Sequence, residues 1–207
     1  EMQQECGNDF TCRLYEPMSK HTSFRIGGGA EVMAFPRSST ELAKMLEVSR
    51  ILDCKPAILG AGTNVLAPDE GLSGLVICLK DCLDGMEQLD ETHIRVAAGV
   101  TMTRAALFAA SLGLSGLEFA HGIPGTVGGG VYMNAGAYGG EMADVLVSAE
   151  CLVPQGDTVA LKTLTKEEMQ QLLTHYSPED AAEMMIEKAL DGGGKDNVTV
   201  LIAEVAL

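Results

Sequence analysis

His121-Gly122-Ile123-Pro124-Gly125-Thr126-Val127-Gly128-Gly129-Gly130-Val131-Tyr132-Met133-Asn134-Ala135-Gly136-Ala137-Tyr138-Gly139-Gly140 is too rich in glycine and too poor in charge for an ordinary surface loop. Gly122, Gly125, Gly128, Gly129 and Gly130 have no Cβ to hold a ligand off the backbone, and they permit positive φ. Pro124 fixes one φ and removes one donor, so the stretch has a shape. Successive amides exposed in this way form a concave nest that holds an anion. No Lys or Arg occurs from Ala105 to Leu161, so such an anion would be held mainly by N–H groups. Asn134 and Tyr138 add polar groups, and Ala135-Gly136-Ala137 leaves room for something flat. Composition alone leaves two readings open, a tightly turned structural loop between strands or a ligand-holding one.

Two familiar phosphate-binding patterns do not fit. A P-loop requires GxxxxGK[ST], which neither this stretch nor Gly192-Gly193-Gly194-Lys195-Asp196 supplies. A Rossmann fingerprint requires GxGxxG between a strand and a helix. Gly60-Ala61-Gly62-Thr63-Asn64-Val65 lacks its third glycine and runs into the turn Pro68-Asp69-Glu70-Gly71. A phosphate site here belongs to another architecture.

The 207 residues suffice for one large domain or two small ones. A hydrophobic content of 46% points to a folded globular chain, and a net charge of −15 argues against nucleic acid or an anionic membrane as partner. No apolar run approaches the length of a membrane-spanning helix. The opening Glu1-Met2-Gln3-Gln4-Glu5-Cys6 has neither the basic nor the apolar region of a signal peptide, and position 1 is not Met. The expectation is a cytoplasmic protein whose true start lies upstream. Cys6, Cys12, Cys54, Cys78, Cys82 and Cys151 form no CxxC and no zinc spacing with histidine. They read as unbridged thiols in a reducing compartment.

Residues 1–18 are polar and aperiodic, an expected mobile lead-in. Ser19 to Ala30 is a second small-residue turn, with Arg25 as its fixed cation. Glu31–Pro36 reads as a strand. Ser38 and Glu41 form a capping box for a helix to about Arg50, with Leu42, Met45 and Leu46 on one face. Ala57–Leu59, Leu75–Leu79 and Ile94–Ala98 read as strands. Thr103–Leu112 reads as a helix closed by Gly113. Leu146–Val153 and Thr158–Leu161 are expected to pair across Pro154-Gln155-Gly156-Asp157. Beyond Thr165, Lys166–Leu173 and Ser177–Leu190 read as helices and Val198–Val205 as a closing strand. This interleaving predicts an α/β or α+β fold. His121 reads either as a ligand contact or as a hydrogen-bonded loop histidine. Glu118 reads as an acceptor for loop N–H groups.

His21-Thr22-Ser23-Phe24-Arg25-Ile26-Gly27-Gly28, then Leu59-Gly60-Ala61-Gly62-Thr63-Asn64-Val65-Leu66, then Gly122 to Gly140 occur in an order and spacing that resembles the UDP-N-acetylenolpyruvoylglucosamine reductase family. Gly113-Leu114-Ser115-Gly116-Leu117-Glu118-Phe119 fits the same family, and the resemblance covers roughly 19–162. It implies an α+β, two-lobed FAD-binding domain of the PCMH (vanillyl-alcohol-oxidase-like) type over 19–163. The implied FAD contacts are Arg25, Gly60, Gly62, Thr63, Asn64, Val65, Leu66, Gly122, Ile123, Pro124, Gly125, Thr126, Gly128 and Gly129, with Asn134, Ala135, Gly136, Ala137 and Tyr138. The chemistry implied is hydride transfer from NADPH to FAD and onward to the enolpyruvyl group of a UDP-sugar, in bacterial cell-wall precursor synthesis. Two glycine-rich turns are physically apt for this, since a pyrophosphate needs several convergent N–H donors.

The chain departs from the family pattern in three places. Thr63 stands where Ser is usual, and Gly130 where Ala is. After Lys162 the expected Tyr-Arg-x-Ser is absent, and so are the proton-donating Ser and the later Glu of a substrate domain; no catalytic residue is therefore assigned. Residues 164–207 read as a helix-helix-strand segment in its place. Ser177-Pro178-Glu179-Asp180-Ala181-Ala182 and Gly193-Gly194-Lys195-Asp196-Asn197-Val198-Thr199-Val200 resemble the C-terminal end of a metal-dependent protein phosphatase. One carboxylate, Asp196, is a poor site for a hard divalent cation, so no metal is expected and Asp196 reads as a turn residue. The alternatives to a reductase are a flavin-binding module without turnover and a phosphatase-derived segment.

Overall fold

The computed structural model describes residues 11–80, 82–155, 158–165, 168 and 199–206. The chain divides into two compact units, residues 1–82 with 156–159 and residues 83–155 with 160–207. Each mixes helices and strands, giving an α+β fold.

The first unit is built on a sheet of β1 (Thr11–Pro17), β2 (Gly29–Phe35), β4 (Leu72–Cys78) and β3 (Ala57–Leu59), in that spatial order. β1 runs antiparallel to β2, with Thr11 opposite Phe35 and Pro17 opposite Gly29. The expected lead-in is therefore shorter than 1–18. Residues 11–17 form an edge strand, held by its backbone ladder while Leu14 and Tyr15 stay exposed. That exposure removes the apolar alternation by which a strand is read. Residues 1–10 lie outside the described residues.

β2 and β3 both run parallel to β4, and α1 (Ser39–Ile51) carries the chain from β2 to β3. Parallel neighbours need such a crossover. Ser38 caps the helix, its hydroxyl accepting from the Glu41 amide at 3.1 Å. The Glu41 carboxylate reaches one residue further back than a capping box requires, accepting from the Arg37 amide at 2.8 Å. Leu42, Met45 and Leu46 are buried as the periodicity predicts. Beneath the loops, Met18, Ala30, Met33, Leu59, Ala67, Val76 and Cys78 form one core.

The second unit's sheet runs in the order β10-β9-β11-β6-β5: β10 (Thr158–Thr165), β9 (Leu146–Gln155), β11 (Thr199–Ala206), β6 (His93–Ala97) and β5 (Met86–Gln88). β11 is antiparallel to both β6 and β9, so the last strand of the chain lies inside the sheet. The expected neighbours β9 and β10 are adjacent. α2 (Met102–Ser111) packs its Ala105, Ala106 and Ala109 face into the core with Ile94, Val96, Phe119, Val131 and Leu146. Thr101 caps it, and Gly113 ends it at φ +75°. The strand β5 was not read from sequence, being three residues long with two exposed.

The helices expected over 166–173 and 177–190 fall largely outside the described residues, as do Asp196 and the phosphatase-like stretch around it. Cys12, Cys54, Cys78, Cys82 and Cys151 are not joined in disulfides.

Candidate functional site

In the second unit the glycine-rich stretch is not a loop throughout. Residues Val127–Tyr132 form a short helix, α3, whose N-cap is the buried Thr126. This corrects the sequence expectation in two respects. Of the five glycines from Gly122 to Gly130, only Gly125 has positive φ (145°). The amides are not a run of exposed donors either. Val127 and Gly128 donate to the carbonyls of Val100 and Ala98 at 2.8 and 2.9 Å, and Gly130 donates to Thr126 at 2.8 Å. Met102 donates to Gly125 at 3.1 Å, and the Thr103 hydroxyl donates to His121 at 2.7 Å. The stretch is thus stitched to the segment that joins β6 to α2.

The structure sorts these glycines into two kinds. A Cβ on Gly128 would stand 2.7 Å from Ala98 Cβ, and one on Gly130 would stand 2.8 Å from Met102 Sδ. At Gly128 the neighbour is a short side chain and its backbone, which leave no room for a Cβ, whereas at Gly130 it is the flexible end of Met102, which can yield. A Cβ on Gly129 would meet only Thr126 Oγ1 at 3.4 Å, and one on Gly122 would meet only the Tyr138 ring, at 3.8 Å. Both positions are exposed. No packing demand accounts for the missing side chain at Gly122 or Gly129, and bare backbone is what a closely approaching ligand requires.

Beyond α3 the chain makes a hairpin of β7 (Gly136–Ala137) and β8 (Gly140–Glu141). Its two turn residues, Tyr138 and Gly139, have φ +54° and +87°. This is the geometry of a type I′ turn, where Asn-Gly is favoured and a tyrosine costs about 1–2 kcal/mol. Tyr138 is also 95% exposed. Asn134, at φ +46°, uses its Oδ1 to accept from the Ala143 amide at 2.9 Å. Ile123, Gly125 and Ala135 are half-buried, and Pro124 and Gly136 are exposed. Glu118 accepts from the Gly116 amide at 2.7 Å, as expected of a loop-shaping acceptor. His121 is exposed and lines an open cavity of about 320 Å3 with Ala106, Ala109, Leu114, Leu117 and Glu118.

In the first unit, two of the sequence motifs come together. The Ser23 amide donates to the Gly62 carbonyl at 2.9 Å, and the Gly28 amide donates to Pro68 at 2.9 Å. Gly62, at φ +63°, lies directly against the His21 carbonyl, which leaves no space for a side chain. Gly27 is similarly pressed on Ala67, where a Cβ would stand 2.5 Å from the alanine Cβ. Thr63, Val65 and Gly60 are half-buried; Asn64 and Leu66 are exposed, as is Arg25 at φ +56°. Phe24, Ile26 and Leu66 expose large apolar surface on these adjoining loops.

Sequence reasoning missed the Glu16 cluster beside this loop. Glu16 is buried and accepts from His21 Nε2 at 3.0 Å and Arg13 Nη1 at 3.1 Å, with Lys20 Nζ at 3.6 Å. Residues 13, 16 and 20 stand at helical spacing, but Arg13 and Glu16 lie on strand β1 and Lys20 in the turn after it, so a period search would have suggested a helix that does not form. Among the described residues no group of three or more His, Cys, Asp or Glu could hold a metal ion. No helix among them is long and apolar enough to cross a membrane.

Residues 30–162 match the family model for an FAD binding domain. The chain is 44% identical over 171 residues to UDP-N-acetylenolpyruvoylglucosamine reductase of Agathobacter rectalis, covering 77% of this chain and 53% of that protein. It is 43% identical over 154 residues to the enzyme of that name from Bacillus subtilis, covering 74% and 50%. The chain therefore spans about half the length of these curated relatives. Among solved structures, UDP-N-acetylenolpyruvylglucosamine reductase from Thermus caldophilus superposes with a TM-score of 0.58 at 27% identity, over 96% of this chain and 61% of that one. Aclacinomycin oxidoreductase, at 15% identity, has a TM-score of 0.65 over 95% of this chain and 40% of its own, a likeness of fold alone.

Proposed function

The chain belongs to the FAD-binding domain family, and from that premise we propose that it is the flavin-holding part of a UDP-N-acetylenolpyruvoylglucosamine reductase. The observation that carries this is the bare backbone at Gly122 and Gly129, exposed positions where no protein atom forbids a side chain. The residues that would hold FAD are Arg25 with the Gly60–Leu66 turn from the first unit, and Gly122–Gly129 with Asn134–Tyr138 from the second. With the Val127, Gly128 and Gly130 amides bonded to protein carbonyls, the second unit would meet the cofactor through close backbone approach at Gly122 and Gly129 and through the exposed Tyr138 ring. When bound, FAD supplies the hydride chemistry and the protein supplies its orientation. NADPH is the proposed donor and a UDP-sugar enolpyruvyl ether the proposed acceptor.

A second reading, a flavin-binding module without turnover, is favoured by the sequence beyond Lys162. No Tyr-Arg-x-Ser occurs from Lys162 to Leu207. Electrostatic stabilisation by one such group is typically worth about 10²–10³ in rate, and a general acid about 10²–10⁴ more. This chain is expected to bind FAD and to oxidise NADPH without dependence on the UDP-sugar.

Titration with FAD, monitored by flavin absorbance and fluorescence, tests the first statement. Saturable binding is expected, and no retention of flavin by folded protein would overturn it. NADPH oxidation assayed with and without UDP-N-acetylglucosamine enolpyruvate then separates enzyme from module. Substrate-dependent turnover near the usual range of about 1–10³ s⁻¹ would refute the second reading.

A further inference from the structure

We propose that Glu16 is a positioning residue for the Gly60–Leu66 turn, acting on it through the ring and backbone of His21. Among the described residues Glu16 is the one buried carboxylate. A carboxylate taken out of water is tolerated only when paired and hydrogen-bonded. Two of its three partners, Arg13 and Lys20, are largely exposed, whereas the His21 side chain keeps 13% of its surface. A carboxylate can only accept, so Nε2 of His21 carries the proton in their 3.0 Å hydrogen bond. The ring is fixed on a second side by Phe35 of β2, with centroids 5.6 Å apart and tilted by 48°. The Arg13 guanidinium lies 5.1 Å from the centre of the same Phe35 ring. The hydrogen bond from His21 is also the largest influence holding the Glu16 carboxyl below its ordinary range; Arg13 and Lys20 add to it and burial opposes it.

What this anchors is the floor of the turn. The His21 amide donates to Met18 at 2.8 Å, and the Met18 amide donates to Gly28 at 2.9 Å, closing the base of the 18–28 loop. The His21 carbonyl fills the space beside Gly62 Cα, and one peptide later Ser23 donates to the Gly62 carbonyl. Thr22 between them is buried, its hydroxyl donating to Ile26 at 3.2 Å. A shift of the His21 ring therefore displaces two consecutive peptides on which Gly62 rests. Misplacing a binding backbone costs affinity even though Glu16 touches no ligand. The functional consequence rests on the flavin reading above; the structural coupling does not.

The test compares the wild-type chain with E16A, H21A and H21Q. Amide hydrogen exchange is read at Ser23 and Gly28, with Leu79, whose amide bonds Leu59 at 2.7 Å, as internal control. FAD dissociation constants are measured in parallel. In E16A and H21A the Ser23 amide should exchange on the order of tenfold faster or more, with Leu79 unmoved. FAD affinity should fall by a similar factor. H21Q, whose side-chain amide nitrogen replaces the imidazole Nε2 as donor, should restore both. H21A leaves Glu16 paired with Arg13 and Lys20, so it remains informative if E16A does not fold. Wild-type exchange at Ser23 in H21A, or no rescue by H21Q, would overturn the proposal. A wild-type chain that binds no FAD would overturn the functional reading while the exchange measurement still decides the coupling.

Discussion

The carbonyl oxygen of His21 occupies the space into which a side chain on Gly62 would grow, and the Ser23 amide, two residues on, donates to the Gly62 carbonyl at 2.9 Å. Two stretches separated by some forty residues of sequence are thereby one backbone surface. Gly62 has positive φ as well as no room, so alanine there is expected to cost the fold more than alanine at any exposed glycine of the second unit. Denaturation midpoints of G62A and G122A would show this, and equal midpoints would contradict it.

Gly129 and Gly128 are neighbours with opposite expected outcomes. G129A places a methyl in nearly open space within α3, which should leave the fold unchanged or stabilise it by about 0.5–1 kcal/mol. If FAD approaches there, overpacking of about 1–3 kcal/mol should weaken its binding roughly 5- to 150-fold. G128A instead drives a methyl onto Ala98 and should destabilise the fold by about 1–3 kcal/mol. Thermal unfolding with flavin titration reads both; unchanged affinity in G129A would remove that position from the site.

Tyr138 sits in a left-handed turn position that asparagine adopts at lower cost. Y138N should therefore raise the stability of the second unit by about 1 kcal/mol. It should also weaken ligand binding if the exposed ring is retained for contact with the flavin or substrate. A variant that is both less stable and equally tight would mean the ring serves the hairpin instead.

The thiols should differ sharply in reactivity. Burial, reinforced by the neighbouring Glu150 charge, pushes Cys151 up to about 12. At pH 8 only roughly 10⁻⁴ of it is thiolate. Mass-mapped labelling of native protein should find Cys12 and Cys54, both half-buried, modified well before Cys78, Cys82 and Cys151. Early labelling of Cys151 would show that the second unit opens readily.

Asp90 closes the turn between β5 and β6, its Oδ1 accepting from the Thr92 and His93 amides at 2.8 and 2.9 Å. These bonds, the Thr92 amide foremost and then the His93 ring, lower its carboxyl from 3.8 to about 2. A depressed carboxyl contributes stability that is fully present above its unfolded value and is lost as pH falls through the folded one. The turn should therefore hold above about pH 4 and loosen toward pH 2, a shift visible in the Thr92 amide resonance. A midpoint near 3.8 would show that the hydrogen bonds do not form.

β11 pairs on both sides, Ala203 standing opposite Val96 in β6 and Ala149 in β9. Proline at an interior strand position removes a ladder donor and is tolerated essentially only at edges. A203P should unfold the second sheet while an equivalent proline in exposed edge strand β1 is milder. Circular dichroism of the two variants is the measurement, and a folded A203P would place β11 outside the sheet.

Sequence alone determined the positions of the glycine-rich stretches, the apolar face of α1, the caps at Ser38 and Gly113, and most of the strands. Each of these is written within a few residues of chain, in a period, a hydroxyl or a missing Cβ. It could not distinguish Gly128 from Gly129, because the difference lies in whether Ala98, some thirty residues earlier, stands beside the added methyl. Nor could it show that Val127 and Gly128 spend their amides on Val100 and Ala98, or that β1 is a strand despite exposed Leu14 and Tyr15. Glu16, read only as part of a polar lead-in, is buried once folding sets His21, Arg13 and Lys20 against it. Those decisions belong to tertiary structure, since close approach, burial and hydrogen-bond partnership are properties of atoms brought together from distant parts of the chain.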